Sequence, residues 1–125
     1  MSKKAVNSEK APAAIGPYSH ACVSGSTVYV SGQLPVREGQ LIQDDIAEAT
    51  KACMENISYI LEAAGSSMDK VLKSTIYLTD LSDFSIVNEA YGSFFKDQFP
   101  ARVCVEVSSL PKGAKVEIDA IATCE

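Results

Sequence analysis

Several residue types and motifs are absent from this sequence or rare in it. The 125-residue chain contains one histidine, no tryptophan and four cysteines, and no two cysteines form a CxxC pair. A zinc site built from this set would need unusual ligand spacing. The sequence also lacks the GxGxxG, GxxxxGK[ST], HExxH and GxSxG motifs, so it gives no indication of a nucleotide site, a catalytic metal or a serine hydrolase. The simpler interpretation is that the four cysteines are reduced thiols in an intracellular protein.

Long apolar runs and an excess of positive charge are also missing. No stretch approaches the ~18 apolar residues that a membrane-spanning helix requires, and residues 1–16 contain no apolar run typical of a signal peptide. The net charge is −5 and the pI is about 4.8, whereas nucleic-acid binding usually requires a basic surface. We therefore expect a cytoplasmic protein that binds neither nucleic acid nor membrane.

The hydrophobic pattern predicts a single domain over residues 1–125. Apolar residues make up 46% of the chain and charged residues 22%, which suits one globular core. Residues 1–16 are polar and then rich in alanine and proline, and predict an extended arm. Apolar residues at spacings of three and four predict a helix over residues 44–65, with acidic residues at its start and Gly65 at its end.

A second helix is predicted between Asp80 and Pro100. Asp80 is a suitable N-cap, and Asp83 follows three residues later as in a capping box. The apolar stripe of this helix is interpreted as core and not as a ligand site. Its members are Phe84, Val87, Tyr91, Phe94 and Phe95.

Alternating β-branched residues predict the strands. A hairpin is expected over residues 20–32, a loop or small hairpin around Glu38-Gly39, and a strand over residues 70–80. Two further strands within residues 99–122 are joined by a Pro-Lys-Gly turn. The predicted order is β-β-α-β-α-β-β, so two helices would cover one face of a mixed sheet in a two-layer α+β domain.

The sheet face away from the helices is expected to carry polar groups. Strand alternation puts Val103, Val105 and Val107 on one face and several polar side chains on the other. We expect this second face to pack against other subunits and to bring its polar groups into the clefts between them. Its predicted members are Arg102, Cys104 and Glu106, then Glu117, Asp119 and Ile121, and finally Lys73, Thr75 and Tyr77.

Arg102 and Glu117 have two interpretations on the residues alone. In a hairpin they would form a cross-strand or surface ion pair, which is the commoner role of such charges. Alternatively, both belong to a catalytic site. Cys104 is more often a small core residue than a nucleophile, because a nucleophilic thiol needs an activating base and no histidine partner is evident.

Four segments resemble the RidA/YjgF family of enamine/imine deaminases across nearly the whole chain. They are PYSHA, YVSGQLP, VNEAYGSFF and FPARVCVEVSSLPKGAKVEIDAIA. The resemblance implies a chorismate-mutase-like homotrimer whose sheets form a central barrel, with three sites at subunit interfaces. It also implies hydrolysis of 2-aminoacrylate-derived 2-iminopropanoate, 2-iminobutanoate and related imines to 2-keto acids and ammonia, without a cofactor.

The resemblance also implies roles for particular residues. Arg102 would anchor the substrate carboxylate, and Glu117 would lie near the attacking water. His20 stands where the family usually has glutamine, and Ala49 where many members have a helix glutamine; these departures bear on substrate range. Because His20 lies beside Tyr18 in the chain, we expect it to alter the polarity of the pocket. The residues that would line that pocket are Tyr18, Ser31, Gly32, Asn88 and Cys104.

The implied chemistry suits these residue types. A guanidinium can hold the carboxylate of a 2-imino acid through two parallel hydrogen bonds, and a carboxylate can direct water at the C=N carbon. Two alternatives stay open. One is a non-catalytic trimer that binds small keto or amino acids through the same arginine. The other is a chaperone-like or RNA-cleaving protein, roles that have been attributed to members of this family, although the acidic charge argues against RNA.

Overall fold

A computed structural model describes residues 2–125, which form a six-stranded sheet covered on one face by two helices, and a separate two-stranded hairpin. The strands are β1 (Lys4–Val6), β2 (Ala21–Ser24), β3 (Thr27–Gln33), β4 (Val36–Arg37), β5 (Gln40–Leu41), β6 (Val71–Leu78), β7 (Ala101–Glu106) and β8 (Val116–Thr123), and the helices are α1 (Ile46–Ala63) and α2 (Phe84–Gly92).

The order of strands across the large sheet is β1-β2-β3-β8-β6-β7, and β6–β7 is its one parallel pair within the described residues. The two-layer α+β prediction with a mixed sheet is confirmed.

The first helix, α1, begins and ends close to the positions that the sequence predicts. The Asp45 carboxylate accepts a hydrogen bond from the Glu48 N–H at 3.1 Å, which satisfies a free amide of the first turn. Gly65 follows the helix with a φ of +79°, a conformation in which glycine avoids the strain of a side chain. Ile57 and Ile60 on the apolar stripe are buried in the core between helix and sheet.

The second helix, α2, differs from its predicted limits. Residues Leu81–Asp83 form a separate 3₁₀ turn, and the Asp80 carboxylate caps this turn by accepting from the Ser82 N–H at 2.9 Å. Asp83 makes no side-chain capping bond, so the predicted capping box is wrong. The helix ends at Gly92, before the two phenylalanines that the sequence assigned to its stripe.

The N-terminal arm is partly a sheet strand and not simply extended chain. β1 pairs antiparallel with β2 and becomes one edge of the sheet, where Val6 is buried opposite Ala21. The small hairpin around Glu38-Gly39 is confirmed as β4–β5. Arg37 fastens this hairpin to α1 by donating to Glu48 and Glu55, at 2.9 and 3.0 Å.

The last two strands, β7 and β8, do not form the predicted hairpin. β6 lies between them, parallel to β7 and antiparallel to β8. Arg102 and Glu117 are therefore not cross-strand neighbours, and among the ion pairs of residues 2–125 none joins them. The surface ion-pair interpretation of these two charges is wrong.

The register of β7 also overturns its predicted facing. Ser74 lies beside Arg102 and Ile76 beside Cys104, and laterally adjacent residues of paired strands point to the same side of a sheet. Ser74 and Ile76 are buried under the helices. Arg102 and Cys104, together with Glu106, therefore lie on the helix-covered face, which we call the helix face, and not on the opposite, outer face as predicted.

The valines of β7 explain why its facing was predicted wrongly. Because valine is apolar, these residues were expected to face the core under the helices. They lie instead on the outer face, where Val103 and Val105 are 42% and 38% exposed. On the other strands the prediction is confirmed, because β6 and β8 pair residue for residue on the outer face. These outer residues are Lys73, Thr75 and Tyr77 on β6, and Glu117, Asp119 and Ile121 on β8.

Neither helix within residues 2–125 combines the length and apolar character that crossing a membrane would require.

Candidate functional site

The seven residues assigned to a site fall into two groups on opposite faces of the sheet. The arginine group lies on the helix face and consists of Arg102, Asn88 and Cys104. The glutamate group lies on the outer face and consists of Glu117 with Ser31 and Gly32. Tyr18 stands in the loop before β2, where its side chain is 49% exposed.

The guanidinium of Arg102 is held by contacts with α2. Its Nη1 donates to Asn88 Oδ1 at 2.5 Å. Its central carbon lies 5.4 Å from the ring centre of Phe84 and 5.6 Å from that of Tyr91, within the range of cation–π attraction. The Tyr91 hydroxyl is itself hydrogen-bonded to Ser74 in the interior. The arginine is thereby oriented, and its side chain stays accessible.

A cavity of about 440 Å³ opens beside Arg102. It combines one cation, one amide and aromatic surface, a combination that suits a small carboxylate with a short apolar group. The residues that line it are Asn88, Tyr91, Gly92, Phe99, Pro100 and Arg102.

The sequence interpretation missed the aromatic neighbours of Arg102. Phe84 and Tyr91 were assigned to the core stripe, yet Phe84 is 37% exposed and faces the guanidinium. A signal for this arrangement is present in the sequence, because residues four and seven positions apart lie on one side of a helix. Phe84, Asn88 and Tyr91 have this spacing. Phe99 lies outside any helix, so no periodicity could assign it.

Cys104 follows Arg102 on the same face of β7 and is half-buried. Burial raises the pKa of its thiol, and this effect outweighs the Arg102 charge, which lowers it. A nucleophilic cysteine needs its thiolate form at working pH. The environment of Cys104 therefore favours a neutral thiol that lines the site, as the sequence interpretation preferred.

Glu117 owes its position to an irregularity in the neighbouring strand. The pairing of β3 with β8 shifts register between Val30 and Gln33, which leaves Ser31 and Gly32 at the irregularity. A Cβ atom built on Gly32 would lie 2.9 Å from the carboxyl carbon of Glu117 and closer still to one oxygen. Only glycine lets the carboxylate lie directly against this backbone.

The environment of Glu117 favours proton exchange. Partial burial raises the pKa of its carboxyl group, and the negative charge of Asp119 on the same face raises it further. Asp119 is held in place, since it accepts from the Thr75 N–H and the Tyr77 hydroxyl, both at 3.2 Å. A carboxyl group that titrates above its usual range is a more effective general acid or base near neutral pH.

Ser31 connects the glutamate group to the loop that carries Tyr18. Its Oγ donates to the Ser19 carbonyl at 2.7 Å, and its N–H donates to the His20 carbonyl at 2.9 Å. The His20 ring is 3% exposed and is bonded to the N-terminal arm. It lines neither group, so the expectation that it alters pocket polarity is wrong.

One chain cannot bring its own Arg102 and Glu117 together, because β6 and the thickness of the sheet separate them. A site that uses both residues needs two chains. Within residues 2–125, no three His, Cys, Asp or Glu side chains converge as a metal site would require.

Known proteins resemble this chain in both sequence and structure. The profile of the family described as endoribonuclease L-PSP matches residues 8–124. A RutC family protein of Pyrococcus abyssi is 48% identical over 124 residues, 98% of either chain. A 2-iminobutanoate/2-iminopropanoate deaminase of Bos taurus is 48% identical over 122 residues, 96% of this chain and 89% of the relative. The crystal structure of E. coli TdcF with bound serine superposes on this chain with a TM-score of 0.92 and 41% sequence identity. The superposition covers 96% of this chain and 98% of TdcF. The chain therefore belongs to the endoribonuclease L-PSP family, the RidA/YjgF family that its motifs resemble.

Proposed function

We propose that this protein is an enamine/imine deaminase, which hydrolyses 2-iminopropanoate, 2-iminobutanoate and related imines to 2-keto acids and ammonia. The observation that carries the proposal is the orientation of Arg102, which Asn88 and two aromatic rings hold at the mouth of an open cavity. The deaminase name of several relatives supports the same reaction class.

Arg102 supplies the first step, which is binding. Its guanidinium presents paired N–H groups to a carboxylate. Asn88 occupies one donor of Nη1 and fixes the plane of the fork. Binding the carboxylate in this way holds the adjacent C=N carbon at a defined place, which converts a random encounter with water into a positioned one.

Glu117 supplies the proton transfers. The Glu117 carboxylate takes a proton from a water as the water oxygen bonds to the C=N carbon, and passes that proton to the imine nitrogen, which gives a neutral carbinolamine. The carboxylate then takes the proton of the carbinolamine hydroxyl group and passes it to the amine nitrogen, so that the C=O bond forms, the C–N bond breaks and ammonia leaves. A carboxyl group with a raised pKa is suited to both transfers.

We further propose a homotrimer with one site at each subunit interface. Arg102 and Glu117 lie on opposite faces of one sheet, so each site takes its arginine from one chain and its glutamate from the next. The outer face carries exposed apolar side chains, Tyr29, Val103 and Val105, which would be covered if the three sheets formed a central barrel.

Mixed trimers test both the reaction and the shared site. The Arg102→Met and Glu117→Gln chains are unfolded together and refolded in equal amounts. Random assembly should restore about a quarter of the wild-type rate of keto-acid release, because about one interface in four pairs an intact arginine with an intact glutamate. Release is followed while a dehydratase generates 2-aminoacrylate. Each variant refolded alone is the control.

Wild-type protein that does not accelerate keto-acid release would contradict the deaminase function. Active wild-type protein whose mixed variants stay as inactive as the separate ones would contradict the shared site but not the reaction.

A non-catalytic binding module is the second candidate. The family includes a structure with bound serine, and Arg102 would bind the carboxylate of an amino or keto acid equally well without turnover. Calorimetric binding of 2-ketobutanoate, without any acceleration of imine hydrolysis, would favour this candidate.

A further inference from the structure

The single histidine joins the N-terminal arm to the strand that carries Ser31. The His20 N–H donates to Asn7 Oδ1 at 3.0 Å, and its carbonyl accepts from the Ser31 N–H at 2.9 Å. Its ring bonds to the arm at two further points, because Nδ1 pairs with the Ser8 N–H at 3.0 Å and Nε2 with the Pro12 carbonyl at 2.7 Å. Three of these four contacts are with the arm, and the fourth is with the glutamate group.

The partners of the ring determine its tautomer. Nδ1 receives a backbone N–H and so carries no proton, while Nε2 faces a carbonyl and so carries one. A second proton, on Nδ1, would point at the Ser8 N–H and place two donors against each other. The ring is 3% exposed, so water has little access to replace the lost bond. The protonated ring does not fit the arm in this arrangement.

The arm is connected to the candidate site through a short stretch of chain. Pro12 and His20 bracket the loop that carries Tyr18, and Ser31 is bonded to Ser19 and His20. Ser31 directly precedes Gly32, against which the Glu117 carboxylate lies. Release of the arm would therefore loosen both the Tyr18 loop and the backbone that positions Glu117.

We propose that His20 is a positioning residue that makes activity depend on the protonation of its ring. The neutral imidazole locks residues 7–12 in place, and its protonation releases them and disorders the glutamate group. This inference rests on the proposed deaminase function and deepens it by adding control by acidity.

None of the charged groups near the His20 ring, among the described residues, is a carboxylate that pairs with it. Pro12 lines a cavity of about 500 Å³ together with Lys10, Arg37, Glu55 and Tyr59. Glu55 is paired with Arg37 at 3.0 Å, and the Lys10 ammonium lies 5.9 Å from the centre of the Tyr59 ring. The other titratable side chains on the arm, its loop and the flanking strands are Lys3, Lys4, Glu9, Tyr18, Cys22 and Tyr29. No hydrogen bond or ion pair within residues 2–125 joins any of these to the imidazole.

The matched variant is His20→Gln. A glutamine amide can accept from the Ser8 N–H through its oxygen and donate to the Pro12 carbonyl through its nitrogen, and it does not titrate. As the pH falls and the ring gains its second proton, we expect kcat/KM of the wild type to fall about tenfold further than that of His20→Gln. With the ring neutral, the two proteins should agree within about twofold. The acid limb that belongs to Glu117 should remain in both proteins.

Nitrogen-15 NMR gives a readout that does not depend on turnover. The chain has one histidine, so its ring signals need no further assignment. We expect the Nε2–H tautomer at neutral pH, and a Ser8 amide signal that shifts with the same midpoint as the ring and stays unchanged in His20→Gln.

Identical pH profiles of active wild type and His20→Gln, or an Nδ1–H tautomer, would overturn the role of His20. Wild-type protein that is inactive at every pH would instead overturn the proposed function, and the NMR titration would still test whether the ring locks the arm.

Discussion

Arg102→Met should lower kcat/KM for imine hydrolysis by roughly 10²- to 10³-fold, as expected when a buried or oriented charge loses its ionic partner. Methionine keeps the length of the side chain and its contact with Phe84 and Tyr91, but it cannot pair with a carboxylate. The loss should appear mainly in KM, because the arginine binds substrate and transition state through the same carboxylate. Steady-state kinetics with dehydratase-generated 2-aminoacrylate measure both constants.

The only other arginine provides the matched control. Arg37→Met removes the same charge from the β4–β5 hairpin, where Arg37 pairs with Glu48 and Glu55. We expect this variant to keep wild-type kinetics and to lose some stability. Arg102→Lys keeps the charge but not the planar fork, so its kcat/KM should lie between those of wild type and Arg102→Met. Full activity of Arg102→Met would remove the carboxylate anchor from the mechanism.

Glu117→Gln should lower kcat by roughly 10²- to 10⁴-fold, the contribution usual for a general acid or base. KM should change little, because glutamine has nearly the same shape against Gly32 and Arg102 still holds the substrate. In the wild type the rate should fall as the pH drops through the pKa of Glu117, since the working form is the carboxylate. Because burial and Asp119 raise that pKa, this fall should begin at a higher pH than for an exposed glutamate.

Asp119→Asn is the matched control for Glu117→Gln. Asp119 lies two residues after Glu117 on the same strand and the same face. In the variant, the asparagine oxygen can still accept the hydrogen bond from the Thr75 N–H. We expect nearly full kcat on the plateau. The acid limb should move to lower pH, because the second cause of the raised pKa of Glu117 is gone. An unchanged kcat in Glu117→Gln would show that another group carries the proton.

Local sequence signals were sufficient to predict the first helix, the faces of two strands and the family of this protein. The apolar stripe of α1, the acidic residues at its start and the terminating Gly65 depend on nearby residues, and the structure has them as predicted. The alternation of side chains between the two faces of β6 and β8 was also predicted correctly from the sequence. The four family motifs identified the family itself, because a family motif is a property of the chain and not of its neighbours in space.

The tertiary structure alone decided how the candidate site is divided. Alternation with a period of two defines two faces of a strand but does not say which face turns inward, and it does not name the neighbouring strand. Long-range pairing inserted β6 between β7 and β8, turned Arg102 toward α2 and left Glu117 on the outer face. In the same way, only the fold could bring residues 8 and 12 to the two nitrogens of His20, because contacts between distant residues depend on the path of the whole chain.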